Sequence, residues 1–180
     1  MTLRLRPFTK HDIPDLKTWF QTEEEVLLWA GASLHYPVRD SDLKALIKRH
    51  KAPEPTHEIW AIIDAGNLVI GHVQIWYSQR LQQATLGRIA IAPKQRGQNR
   101  ANTCLQLAIA QAFSRSWINR IELRVYDHNT AAIAAYKRAG FTYEGTLRQS
   151  TPIGRVFWNT NLMSLLRSEY DGFDKRTERE

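Results

Sequence analysis

The chain of 180 residues is long enough for one domain with a sizeable core, and its 43% apolar and 24% charged residues indicate a globular protein. Its net charge of +7 favours an anionic partner, but no block of like charges resembles a nucleic-acid-binding arm. No apolar run reaches the roughly 18–20 residues of a membrane span, and the N-terminus lacks the apolar stretch of a signal peptide. We therefore expect a cytoplasmic protein with no membrane partner, and the charge pattern disfavours a nucleic acid as its partner.

The first half of the sequence predicts one short strand, helices and a strand meander. Residues 3–7 alternate apolar and basic side chains, and Thr9 and Asp12 then have the spacing of a capping box at a helix start. Rich β-branched and aromatic content around a turn at 65–67 indicates a hairpin. The further elements are a helix-to-loop segment at 25–37, a helix from Asp40 or Ser41, a connector at 51–58, and strands at 58–64, 68–77 and 85–92.

The second half predicts two strand–helix units and a closing pair of strands. The helix at 129–139 stops at Gly140, a residue suited to the left-handed conformation of a helix C-terminus. The other elements are a helix at 98–116, a strand at 121–126 and strands at 141–150 and 155–166. This order predicts an α/β (α+β) fold in which one mixed, mostly antiparallel sheet has helices on both faces. Residues 1–168 form the predicted domain, and 169–180 form a charged tail.

Metal and thiol chemistry find little support in the sequence. The histidines show none of the spacings that zinc sites use, so no metal site is expected. Cys104 is the only cysteine, which excludes an internal disulfide and fits a reducing compartment. It lies beside the apolar stripe of the predicted helix, so we interpret it as a small core residue and not as a nucleophile.

A basic turn, QRGQNRA at 95–101, connects a predicted strand to a predicted helix. Unpaired backbone N–H groups and the helix dipole favour an anion at such a helix start, and Arg96 and Arg100 add two positive charges. The turn has one glycine, Gly97, where a phosphate loop usually has several. Taken alone, a basic turn of this kind is more often a solvated connection than a phosphate site.

A second stretch, DHNTAAIAAYKRAGF at 127–141, places Asn129 at a helix start and Tyr136 two turns later on the same face. The alanines between them make a slim helix along which a ligand can pass closely. The alternative is an ordinary amphipathic helix with an asparagine cap and a partly buried tyrosine.

Together the two stretches resemble the GNAT superfamily of N-acetyltransferases, most closely the branch that includes the ribosomal-protein N-terminal acetyltransferases. The family's R-x-x-G-x-G/A motif is matched by Arg96, Asn99 and Ala101. Its N-x-x-A-x-x-x-Y-x-x-x-G-F pattern is matched throughout, at Asn129, Ala132, Tyr136, Gly140 and Phe141. The resemblance covers roughly residues 3–166.

The resemblance implies an acyl-CoA N-acyltransferase fold that binds acetyl-CoA and no metal. The amides of the phosphate turn would hold the pyrophosphate, and the strand residues Ile89, Ala90 and Ile91 would pair with the pantetheine arm. Asn129 would bind that arm, and Tyr136 would protonate the leaving thiolate. The implied turn consists of Arg96, Gly97, Gln98, Asn99, Arg100 and Ala101.

Two positions depart from the family pattern. Asn99 replaces the first glycine of the phosphate turn, although asparagine tolerates left-handed backbone best after glycine. Thr85 stands where many members carry a carboxylate, so the sequence shows no general base there.

The missing carboxylate bears on the amine acceptor. At pH 7 the neutral, reactive form makes up a far larger fraction of an α-amino group than of a lysine amine. The free-energy cost of removing the proton is roughly 4 kcal/mol greater for the lysine amine. This favours a protein or peptide N-terminus; the alternative is a small-molecule amine, with Glu23, Glu24 and Glu25 as a possible acidic pocket for a polycation. A non-catalytic acyl-CoA-binding module and an RNA-binding domain are further alternatives. We expect a monomer or a homodimer.

Overall fold

Residues 2–50, 56–97 and 100–170 are described by a computed structural model of the protein. These residues form one seven-stranded sheet in the order β1-β2-β3-β4-β5-β7-β6, with five α-helices packed against it. The strands are β1 (Arg4–Pro7), β2 (His57–Ile63), β3 (Val69–Ser78), β4 (Gln83–Ile91), β5 (Arg120–Tyr126), β6 (Thr142–Ile153) and β7 (Val156–Leu166). The helices are α1 (Ile13–Lys17), α2 (Glu23–Ala30), α3 (Asp40–His50), α4 (Arg100–Phe113) and α5 (Thr130–Arg138).

The predicted fold class is confirmed. Every strand pair is antiparallel except β4 with β5, and helices cover both faces of the sheet. At the predicted capping box, the Thr9 backbone N–H and hydroxyl both donate to the Asp12 carboxylate, at 2.7 and 2.9 Å. Gly140 adopts a φ of +100°, as the predicted helix end requires.

Several predicted boundaries were wrong by a few residues. The first helix starts as a 3₁₀ turn and ends at Lys17, yet Trp19 and Phe20 beyond it are still buried. The segment predicted as helix-to-loop begins earlier, because the Thr22 hydroxyl accepts from the Glu25 N–H at 3.2 Å and starts α2 at Glu23. Helix α4 ends at Phe113, not at 116. Residues 51–55 of the predicted connector and 171–180 of the predicted tail lie outside the described residues.

The two faces of the sheet bury separate hydrophobic cores. One face packs against α4 and α5 through side chains such as Ile75, Leu86 and Ile109. The other packs against α1, α2 and α3 through side chains such as Leu16, Val26 and Leu43. In the part of the chain that the structure describes, no helix is long and apolar enough to cross a membrane.

The single parallel contact in the sheet is short. Strand β4 pairs with β5 only from Gln83 to Leu86, opposite Arg120 to Leu123, although both strands continue for several residues. Beyond this point the described strands separate, and residues 87–91 of β4 have no strand partner on the β5 side. The sheet therefore opens into a wedge near its centre.

A β-bulge lies in β4 where the wedge begins. His72 of β3 faces Ala90 and Gln74 faces Gly87, so the single residue Val73 stands opposite both Arg88 and Ile89. Arg88 has a φ of +47°, the left-handed conformation of a bulged residue. The bulge reverses the alternation of the strand: Leu86 and, beyond the bulge, Ile89 face the core with α4 and α5.

A buried carboxylate connects the meander to helix α4. Glu58 of β2 accepts hydrogen bonds from Arg115 at 2.8 Å, Tyr77 at 2.9 Å, Trp60 at 2.9 Å and Gln111 at 3.3 Å. Burial alone would raise the pKa of Glu58, but these hydrogen bonds, the one from Arg115 foremost, outweigh it and lower the pKa below its usual value.

Replacing Glu58 by glutamine should lower the free energy of unfolding at pH 7 by about 1–3 kcal/mol, because Arg115 loses its buried ion-pair partner. The lowered pKa means that the stabilisation is present above the unfolded-state pKa and is lost as the pH falls through the folded-state pKa. The difference between wild type and Glu58→Gln in urea unfolding should therefore shrink below about pH 4. Glu24→Gln, at an exposed site, is the control, and a pH-independent difference would contradict this account.

Candidate active site

The wedge between β4 and β5 holds a cavity of about 430 Å³, which we call the cofactor cavity. Its walls are the free edge of β4, the slim face of α5, the inner face of α2 and the first turns of α4. Of the site residues predicted from the sequence, it is lined by Ile89, Ala90, Ile91, Arg96, Ala101, Asn129 and Tyr136. The two stretches that carried the family resemblance therefore meet around one cavity.

The basic turn lies at one end of the cofactor cavity. Gly97 adopts a φ of +73°, and apart from its chain neighbours no atom of the described residues lies within 4 Å of where a Cβ would be, so these residues leave the backbone accessible from this side. The Arg96 Nε donates to the Ile91 carbonyl at 3.1 Å, and the Arg100 guanidinium donates to Gln95. Gly97 and Arg100 do not line the cavity, and Gln98 and Asn99 lie outside the described residues.

Asn129 caps helix α5 and also lines the cavity. Its side-chain oxygen accepts from the Ala132 N–H at 3.3 Å, which satisfies one of the free N–H groups at the helix start. Its amide nitrogen makes no hydrogen bond to any described residue and remains available as a donor. The same side chain can therefore stabilise the helix and bind a ligand.

Tyr136 lies two helical turns after Asn129 and is partly exposed to the cavity. Its ring packs edge-on against Phe141, with centroids 6.1 Å apart. Burial raises the pKa of Tyr136 to about 12, so the side chain is the neutral phenol throughout the physiological pH range. Its hydroxyl makes no hydrogen bond within the described part of the chain.

A second cavity of about 390 Å³, which we call the acceptor cavity, adjoins the first. It is bordered by Trp76 of β3, Thr85 and Arg88 of β4, Arg124 of β5, and the β6–β7 ribbon. The Trp76 ring lies against Gly87, where an added Cβ would be only 2.8 Å from the ring. The two cavities share the wall residues Leu28, Trp29, Ile89, Asn129, Ala132 and Tyr136.

The acceptor cavity contains no acidic side chain among the described residues that line it. Thr85, which stands where the family pattern often has a carboxylate, borders this cavity. The three glutamates of α2 are elsewhere: Glu23 accepts from the Tyr36 N–H at 2.6 Å, and Glu25 accepts from the Gln21 N–H and borders the cofactor cavity. The predicted acidic pocket is therefore not part of this cavity.

A buried polar chain runs behind the bulge. Arg88 donates to the Gln74 side-chain oxygen at 3.0 Å, and the same oxygen is 3.0 Å from the His57 Nε2. The Gln74 amide nitrogen is 3.0 Å from the Nε2 of His72, a fully buried side chain. Burial lowers the pKa of His72 to about 3, so this imidazole is neutral and cannot serve as a base at neutral pH.

Sequence reasoning missed the contributions of α2 and of the arginines. Trp29 borders both cavities, and its indole N–H donates to the Arg88 carbonyl at 2.8 Å, which holds the bulge. The only signal for the bulge was the Gly–Arg pair that interrupts an apolar strand, LGRIAIA. Arg124 lines the acceptor cavity but looks like an ordinary surface residue in the strand pattern of β5.

Cys104 lies in the core, as predicted. It is 1% exposed, and burial raises the pKa of its thiol to about 12, so the nucleophilic thiolate is not formed at neutral pH. No group of three or more histidine, cysteine, aspartate or glutamate side chains within the described ranges could hold a metal ion.

Comparison with known proteins identifies the family. Residues 2–142 match the family model described as an acetyltransferase (GNAT) domain. The chain therefore belongs to the GNAT acetyltransferases and is an acetyl-CoA-dependent N-acetyltransferase.

Two curated relatives and one solved structure illustrate the similarity. The chain is 26% identical over 129 residues, 72% of this chain and 74% of the relative, to a spermidine N(1)-acetyltransferase of Vibrio cholerae. It is 30% identical over 112 aligned positions, 53% of this chain and 68% of the relative, to an L-amino acid N-acetyltransferase of Escherichia coli. The crystal structure of the V. cholerae spermidine N-acetyltransferase in complex with CoA and spermine shares the fold, with a TM-score of 0.80, 24% identity, and coverage of 93% of this chain and 97% of that chain.

A variant that lacks the hydrogen bond from Trp29 to the Arg88 carbonyl tests whether this bond stabilises the bulge. Trp29→Phe keeps an aromatic ring but leaves the Arg88 carbonyl without its donor, so the free energy of unfolding should fall by about 1 kcal/mol and the affinity for CoA should fall with it. Calorimetric titration with CoA and urea unfolding measure both effects. Trp19→Phe is the control, because Trp19 is equally buried and borders neither cavity. Equal losses of CoA affinity in both variants would contradict this role.

Proposed function

We propose that this protein transfers the acetyl group of acetyl-CoA to the primary amine of a small molecule. The observation that carries the proposal is that two cavities share one wall, which contains Ile89, Asn129 and Tyr136. One cavity can hold the thioester and the other the amine, so the reacting atoms would meet at this wall. Acetyl transfer by direct attack requires this arrangement.

The cofactor cavity suits acetyl-CoA along its length. The unpaired edge of β4 at Ile89, Ala90 and Ile91 can pair with the amide groups of a pantetheine arm as a neighbouring strand would. Asn129 has a free amide donor on the opposite wall. The pyrophosphate would lie at the start of α4, where backbone N–H groups and the positive charges of Arg96 and Arg100 favour an anion. The Ile91 carbonyl would have to exchange its bond with Arg96 for one with the ligand.

The proposed reaction forms one bond and breaks another. The neutral amine attacks the thioester carbonyl, the nitrogen–carbon bond forms, and the carbon–sulfur bond breaks to release the CoA thiolate. Tyr136 would donate a hydrogen bond from its phenol to the leaving sulfur, and the amine nitrogen would lose its extra proton to water. Because the pKa of Tyr136 is about 12, complete transfer to a thiolate with a pKa near 8.5 is uphill by several kcal/mol. Tyr136 would therefore act mainly as a hydrogen-bond donor that stabilises the leaving sulfur.

A small-molecule acceptor now has more support than the protein N-terminus that the sequence favoured. Both curated relatives are named for small amines, spermidine and L-amino acids, and neither is a ribosomal-protein acetyltransferase. The acceptor cavity, at about 390 Å³, has the size of a small-molecule site. Cytoplasmic localisation, a monomeric or homodimeric state, and the 1–168 domain boundary stay predictions.

Release of free thiol from acetyl-CoA tests the function with a panel of amino acids, polyamines and short peptides. Turnover with at least one small amine is expected, and Tyr136→Phe should lower kcat by about 100-fold while the affinity for CoA stays within about twofold. Tyr143→Phe, on the exposed β6 strand, is the control. Tight CoA binding with no turnover by any acceptor would instead support the non-catalytic acyl-CoA-binding alternative.

The pH dependence of kcat/KM should be set by the pKa of the acceptor amine and not by a titrating group of the enzyme. Because no carboxylate or histidine lines the acceptor cavity among the described residues, the amine must lose its proton to water before it attacks. The logarithm of kcat/KM should rise by about one per pH unit up to the pKa of the acceptor amine and then level off. Two acceptors with different amine pKa values, assayed from pH 6 to 10, should give different inflections. A shared inflection near pH 6–7 would show an enzyme base.

A further inference from the structure

We infer that the acceptor is an amine that carries an anionic group, a carboxylate or a phosphate, and that Arg124 selects it. This inference rests on the proposed function and names the substrate class of the same site. It comes from the charges of the acceptor cavity, which is bordered by Arg88 and Arg124 and by no acidic side chain among its described residues.

Arg124 is the residue on which the inference depends. It is exposed on β5, lines the acceptor cavity, and makes no hydrogen bond or ion pair to any described residue. The nearby carboxylate on the same strand, Glu122, does not line the cavity and lies 3.7 Å from Arg120. The planar guanidinium of Arg124 is therefore available to bind a carboxylate or phosphate through two parallel hydrogen bonds.

Arg88 adds positive charge at a fixed place beside the transfer point. Its guanidinium donates to the Gln74 oxygen and to the Ser33 hydroxyl, each at 3.0 Å, and lies 5.8 Å from the centre of the Trp76 ring. Since Arg88 is next to Ile89 in the shared wall, an acceptor's anionic group would be attracted into the cavity while its amine faces the thioester.

The same charges disfavour a polycation. Spermidine carries positive charge along its whole length at neutral pH, and two guanidinium groups in a cavity of about 390 Å³ would repel it. The three glutamates of α2 do not offset this repulsion, because none of them lines the acceptor cavity. The cavity therefore has positive side chains where a polyamine acceptor requires negative ones.

The first experiment compares acceptors that differ in charge. Purified full-length protein is assayed with acetyl-CoA and the common L-amino acids, the amides of those that react, O-phosphoethanolamine, short peptides and spermidine. We expect the kcat/KM of each reactive amino acid to exceed that of its own amide by about tenfold or more. This is expected even though the amine of the amide has the lower pKa and is more often neutral. O-phosphoethanolamine distinguishes a phosphate from a carboxylate as the preferred anion.

The second experiment changes the selecting residue. Arg124→Gln should raise KM for the preferred acceptor by about tenfold and leave KM for acetyl-CoA within about twofold, and Arg124→Glu should invert the preference toward spermidine. Arg80→Gln is the matched control, because Arg80 is exposed on the β3–β4 turn and does not line the cavity. The unchanged KM for acetyl-CoA shows that each variant is folded.

Three results would overturn the inference: amides that react as well as their acids, spermidine as the preferred acceptor of the wild type, or an Arg124→Gln variant with unchanged acceptor KM. A protein that acetylates none of these amines would contradict the proposed function itself. C-terminally amidated peptides that react better than free amino acids would also count against the inference, because they carry no carboxylate at their C-terminus.

Discussion

The separation of β4 from β5 is the constraint on which the active site depends. A sheet interior normally satisfies every backbone N–H and C=O by pairing, and an opening there is costly unless something else binds those groups. In this protein the pairing stops at Leu86 and Leu123, and the unpaired edge of β4 becomes one wall of the cofactor cavity. Both cavities border this opening and share a wall there.

The opening is maintained from both sides by packing. On one side, α5 brings Asn129 and Tyr136 to the wedge, and its alanines allow a close approach. On the other, Trp29 of α2 fixes the bulge by binding the Arg88 carbonyl at 2.8 Å. The bulge places Arg88 in a left-handed conformation that a non-glycine residue adopts only when its surroundings compensate for the strain. The compensating contacts are those of its own side chain with Gln74 and Ser33.

Much of the fold could be predicted from the sequence, because strong local patterns decide it. Alternating β-branched strands, the capping box at Thr9 and the glycine after α5 each act within a few residues. The boundaries that failed depend on tertiary packing: Trp19 and Phe20 keep helical spacing but are buried after the helix has ended. The start of α2 was visible in the sequence, because Thr22 and Glu25 have the spacing of a capping box, but the prediction followed the apolar residues that begin after Glu25.

The grouping of Asn129 and Tyr136 around one cavity was predictable, and the lining of the acceptor cavity was not. Asn129 and Tyr136 lie two turns apart on one helix, so their spacing alone places them on one face. The acceptor cavity draws single residues from β3, β4, β5, α2 and the β6–β7 ribbon, and no local spacing connects Arg88 with Arg124. Strand alternation also fails at the bulge, where one extra residue changes which face each later side chain occupies.

The polar chain behind the bulge has a definite direction. The Gln74 oxygen accepts from Arg88, so its amide nitrogen must be the donor toward His72. His72 is neutral and accepts at Nε2, which places its single proton on Nδ1, whereas His57 must present a protonated Nε2 to the Gln74 oxygen. The tautomers of two histidines are thus set by one arginine at the edge of the acceptor cavity. Removing that guanidinium would free the amide to rotate, and a substitution in the active site would then rearrange protons deep inside the sheet.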